Sequence, residues 1–176
     1  MQKLILDSDI PQENTAHSSA HQLGYHQLIG SMKELRLFFQ KKYKALFKLG
    51  VIYKGNPDYS YFSLTTAELK QDKLKFVILL NHKDMKFDIC LSGQNKSVRK
   101  KYWKLFKESG WDRYPIVESV EHGLMIIHHT LVEEADFSDS NALVRTIDTA
   151  AMRFIDEIRN LLERQISFSL VALIFN

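Results

Sequence analysis

The stretch LKFVILLN-HKDM-KFDICLS, residues 74–92, restricts the fold more than any other part of the chain. Its first limb carries Phe76, Ile78 and Leu80 on one parity and Val77 and Leu79 on the other. Its second limb alternates Phe87, Ile89 and Leu91 with Asp88, Cys90 and Ser92. Two such limbs around a short polar turn are the pattern of a β-hairpin. A limb that is apolar on both parities belongs near the middle of a sheet, covered on both faces. The chain must therefore extend a sheet outward from this hairpin and supply helices to cover it.

Three segments have the spacing to be those helices. From about Ala20 to Leu49, the residues Tyr25, Leu28, Ile29, Met32, Leu35, Phe39, Tyr43, Leu46 and Phe47 recur on one side. Ser18 or Ser19 stands where a cap belongs, and Gly50 is placed to end the helix. Phe38 lies off the stripe and marks a second contact surface. In the second helix Val98, Tyr102, Leu105 and Phe106 share one side, Lys100, Lys104 and Lys107 the other, and Gly110 is the stop. The last helix follows the loop EEADFSDSN, with Asp139 or Ser140 as cap and a stripe of Leu143, Ile147, Ala150, Ala151, Phe154, Ile158, Leu161 and Leu162.

Further strands fit VIYKGNPDYSYFSLTT, folded at Gly55–Asp58, and YPIVESV with LMIIHHTLV, joined at residues 121–123. TTAELKQDK is a capped turn or one helical turn. The expected fold is α+β: one domain with a mostly antiparallel or mixed sheet of about five to six strands and three main helices, in the order α-β-β-β-β-α-β(β)-α. Residues 1–18 read as a flexible polar arm and 19–176 as the domain. Within it the apolar tail 166–176 is too short to span a bilayer, so it packs as a strand or helix extension or lies in a subunit contact. No signal peptide or membrane span is expected. The single Cys90 sits in a predicted strand, which implies a buried thiol in a reducing, cytoplasmic setting.

Several segments resemble a family of uncharacterised bacterial proteins, a domain of unknown function. They are YSYFSLT with LKQDKLKFVILLNH, then KFDICLSGQNKSVRKKYWKLF, and lastly ADFSDSNALVRTIDTAAMRFIDEI. The resemblance covers roughly residues 25–160 and lies in strands and packing residues rather than in reactive ones. It implies a bacterial intracellular protein and brings no activity, substrate or cofactor.

Candidate chemistry is sparse. The formal charge of +3 is unevenly placed, with basic runs at 33–48 and 96–107 and an acidic balance over 133–163. A strand leading through Gly93 into a helix start presents N–H groups to an anion, with Asn95 and Lys96 as further donors. Arg99, Lys100, Lys104 and Lys107 add charge, with no acidic partner inside 96–107 to pair them, and Trp103 is positioned to stack on a base. The plain alternative is a solvated outer face. No P-loop pattern supports a nucleotide site. Asp58, Asp84 and Lys86 follow the residue pattern of PD-(D/E)XK nucleases, where two carboxylates hold a metal and the Lys positions a water. Turn chemistry explains both Asp residues equally well. His17 and His21 are four apart, and His128 and His129 point to opposite faces, so no metal site is expected. The reading adopted is a non-enzymatic interaction domain without cofactor, with a homodimer as the expected partner. Nucleic-acid association through 96–107 and a divergent nuclease are the alternatives.

Overall fold

The computed structural model describes residues 13–56, 58–121 and 123–174, with side chains over 24–54, 58–121 and 123–164. The elements in chain order are α1 (Glu13–Lys42), β1 (Lys48–Leu49), β2 (Tyr53–Asn56), β3 (Tyr59–Thr65), α2 (Ala67–Gln71), β4 (Leu74–Asn81), β5 (Lys86–Gly93), α3 (Lys96–Glu108), β6 (Met125–Val132) and α4 (Ser140–Ile174). The sheet order is β1-β3-β4-β5-β6, with β2 also paired to β3, and every pairing is antiparallel. The α+β class and strand number follow the expectation.

The hairpin sits where its sequence demanded. β4 is the central strand, and Phe76, Ile78 and Leu80 lie opposite Leu91, Ile89 and Phe87 in β5. These six side chains share a face with Phe62 and Leu64 of β3, and all are buried. Met32, Leu35 and Phe39 of α1, Tyr102 and Phe106 of α3, and Ile147, Phe154 and Ile158 of α4 complete one core with them. Phe76 meets Phe154 edge to face, with ring centroids 6.1 Å apart.

The opposite face is covered less than expected for a strand apolar on both parities. Val77 and Cys90 are buried there, but Tyr59, Tyr61, Lys75, Leu79, Asp88, His128 and Thr130 remain half-exposed. Tyr53 and Tyr61 stack across the β2–β3 pair at 4.8 Å. Such cross-strand aromatic contacts shield part of the sheet without a covering helix.

Three boundaries depart from the sequence reading. Helix α1 stops at Lys42 rather than near Leu49. Phe47 N–H turns back to the carbonyl of Tyr43 at 2.9 Å, which buries Phe47 at the start of β1. Gly50 therefore does not end the helix. It crosses β3 so closely that a Cβ there would lie 2.5 Å from Ser63 Oγ, and its carbonyl accepts from Arg36 Nε at 2.6 Å. YPIVESV is not a strand; a bridge from Ile116 to Ile127 fastens it to β6. Of the expected arm, residues 13–18 are the first turns of α1, and 1–12 lie outside the described residues. The backbone of the tail continues α4 to Ile174, with its side chains outside the described set.

α1 and α4 are joined by a polar contact as well as by the core. Asp148, only 6% exposed, accepts from Tyr43 Oη at 2.7 Å and Lys42 Nζ at 2.5 Å. A buried carboxylate is tolerated only with partners of this kind. Among the described residues no helix is long and apolar enough to cross a membrane. Because Phe154 is fully buried at the centre of the core, Phe154→Ala should lower unfolding free energy by about 3–5 kcal/mol in urea titration.

Candidate functional site

A cavity of about 740 Å³ opens between α4, β6 and the chain leaving α3. Its helical wall is a row at four-residue spacing, Arg145, Thr149, Arg153 and Glu157, flanked by Thr146 and Ala150. Side chains four apart share one helix face, so this row runs beside the buried stripe of Ile147, Ala151 and Phe154. The facing wall is Arg113, Tyr114 and His129.

Backbone bonds fix that facing wall. His128 N–H donates to the Pro115 carbonyl at 3.2 Å and Val117 N–H to the Ile126 carbonyl at 3.0 Å, so the segment follows the edge of β6. Trp111 Nε1 donates to the Tyr114 carbonyl at 3.0 Å. Tyr114 is thereby laid against His129 and Phe154, with centroids at 4.7 and 4.8 Å, and His129 lies nearly parallel to Phe154. Burial, then Arg153, pushes the His129 pKa below its ordinary 6.5, so the imidazole is neutral at pH 7.

Charge in the cleft is unbalanced. Glu157 takes Arg153 Nε at 3.2 Å; burial first, then the charge of Glu157, raises the Tyr114 pKa. Arg113 and Arg145 form no ion pair among the described residues. Guanidinium groups in a concave site bind phosphate or carboxylate oxygens through paired N–H donors. The arrangement is suited to holding an anion.

The residues singled out by sequence are placed elsewhere. Asn95 caps α3, its Oδ1 accepting from Val98 N–H at 2.9 Å. Gly93 is needed because a Cβ would meet Arg99 Cγ at 2.9 Å, a close strand–helix approach that requires no phosphate. The cations on α3 do have acidic partners. Glu121 pairs with both Lys96 and Lys100, the latter at 2.7 Å, and Glu108, one residue beyond the basic run, pairs with Lys104 at 3.6 Å. Lys107 lies over the Trp103 ring at 5.5 Å. Trp103 Nε1 donates to the Val117 carbonyl at 2.8 Å, which makes the indole a staple. Arg99 Nε is buried with no hydrogen-bond partner.

The acidic candidates are turn residues. Asp84 accepts from Asn81 Nδ2 at 2.8 Å in the β4–β5 turn, and Lys86 lies 3.6 Å from both Asp88 and Glu133. The Asp58 carbonyl accepts from His82 N–H at 2.8 Å, and both residues line a separate hollow of about 380 Å³. There His82 Nε2 meets Ser60 Oγ at 3.0 Å, but Ser60 is wholly buried and no substrate reaches it. Among the described residues, no three His, Cys, Asp or Glu side chains gather as a metal would require. His17 and His21 fall outside the described side chains. Cys90 is buried and its thiol pKa is pushed up to about 12, so it is no nucleophile.

Sequence reading missed the cleft. Arg145, Thr149, Arg153 and Glu157 look like the outer face of α4, and only their regular spacing beside the apolar stripe signals a shared wall. Nothing in the sequence brings Arg113, Tyr114 and His129 to that wall.

Fold and cleft together define an antiparallel α+β domain with an arginine-lined hollow at one sheet edge. The chain belongs to the family described as Domain of unknown function (DUF7000), whose model matches residues 7–162 and so takes in every residue of the cleft wall. No curated protein and no solved structure matches the chain.

The Glu121 carboxyl is held at about 2, below its ordinary 4.5, by Lys100 first and then Lys96. A depressed carboxyl contributes fully above pH 4.5 and loses its contribution as pH falls through about 2. Titration across that window should shift the Trp103 indole N–H signal in NMR as the 117–121 loop loosens. Glu121→Gln should abolish the step.

Proposed function

We propose that the chain is a ligand-binding domain, rather than an enzyme, and that its cleft takes a small anionic molecule. The observation that carries this reading is the pair of guanidinium groups, Arg113 and Arg145, without ion-pair partners among the described residues, in a hollow to which those residues bring a single carboxylate. Its volume of about 740 Å³ falls in the range of about 300–1,000 Å³ usual for small-molecule sites. Tyr114, His129 and Thr149 add ring surface and polar groups for orientation. The buried, unreactive Cys90 suits a reducing compartment such as a bacterial cytoplasm.

The basic face of α3 supports nucleic-acid association less well, because Glu121 and Glu108 already answer Lys96, Lys100 and Lys104. Calorimetric titration with orthophosphate and pyrophosphate tests the cleft. Binding should weaken with added salt and fall about 10- to 100-fold in Arg113→Ala/Arg145→Ala, the loss expected for charge-assisted hydrogen bonds. Absence of binding, or binding unchanged in the double variant, would reject the reading. Lys100→Glu/Lys104→Glu should leave it intact.

A further inference from the structure

The two guanidinium groups that are unpaired among the described residues belong to opposite ends of the cleft. Arg145 opens the helical wall, whereas Arg113 lies at the Glu157 end, since it also lines the adjoining hollow with Glu157, Asn160 and Arg164. Arg145 and Arg153 are eight residues apart on α4, which sets them about 12 Å apart along the axis at about 1.5 Å per residue. At the Arg153 end Glu157 offsets one cation, which leaves Arg113 as the surplus there and Arg145 as the surplus at the far end. A single compact anion engages one end only.

The stretch of α4 between Arg145 and Arg153 has a different chemistry. Thr146 Oγ1 donates to the Ala142 carbonyl and Thr149 Oγ1 to the Arg145 carbonyl, each at 3.0 Å. With their protons so engaged, both hydroxyls offer lone pairs and serve as acceptors. Tyr114 and His129 face them with ring surface. This zone suits a neutral body that carries hydroxyl or amino donors. At each end one guanidinium stands in an open, hydrated site, where a singly charged carboxylate gains little; a phosphate brings more charge and three acceptor oxygens.

We propose that the ligand is an elongated bisphosphate, with a phosphate at each end of a donor-bearing sugar or nucleoside body. The inference rests on the anion-binding reading and adds the second end. The test is calorimetric titration of the full chain with orthophosphate, fructose 6-phosphate, fructose 1,6-bisphosphate, adenosine 5′-monophosphate and adenosine 3′,5′-bisphosphate. At least one bisphosphate should bind about tenfold or more tightly than its monophosphate, as a second charge-assisted contact implies. The sugar and nucleoside arms decide which body is carried. Arg113→Ala and Arg145→Ala, each checked for native circular dichroism, should singly remove that advantage. Thr146→Val/Thr149→Val should narrow the preference for esters over orthophosphate. Equal affinity for both bisphosphates and their monophosphates would overturn the two-ended inference and leave the anion site standing. Failure of every phosphate probe to bind would overturn both.

Discussion

The ring of Phe154 belongs to the core and to the cleft at once. It meets Phe76 on the central strand and so ties α4 to the hydrophobic core. It also supports Tyr114 and His129, the rings that form the wall of the cleft facing α4. Packed interiors resist deformation, because each displaced contact forfeits dispersion energy. The cleft wall therefore inherits the rigidity of the core. Any motion that opened the hollow at this point would also disturb the centre of the sheet.

The clamp at Asp148 acts nearly two turns away from Phe154 along α4. Tyr43 and Lys42 end α1 and reach across to a carboxylate that α4 has carried out of water. Apolar packing alone allows two helices to slide by a fraction of a turn with little change in buried area. A buried acceptor with two defined donors allows one register. Since Arg145 and Thr149 flank Asp148 in the chain, that register also sets where the cationic row stands relative to β6.

The parts of the fold that were legible in the sequence are those specified locally. The β4–β5 hairpin, the Gly110 stop after α3, and the Asp139 cap, whose Oδ1 accepts from Ala142 N–H at 2.9 Å, each depend on residues a few positions apart. The end of α1 was misread because Leu46 and Phe47 continue the helical spacing while the chain has already turned. YPIVESV alternates like a strand, yet only Ile116 forms a bridge. The cleft was illegible for a further reason. Its walls come from residues 113–114, 129 and 145–157, and only the packing of α4 across the edge of the sheet brings them together. Basic residues crowded in one run, as on α3, draw attention in a sequence. Arginines scattered through two distant segments do not.

The two flanks of the sheet are finished in similar ways. On one, the short strands β1 and β2 divide the free edge of β3 between them; on the other, residues 115–117 lie along β6 and make a few bonds before leaving. An uninterrupted exposed edge is a template for a neighbouring chain, and short or irregular borders remove it. Copies of this domain are thus discouraged from joining strand to strand into a continuous fibre.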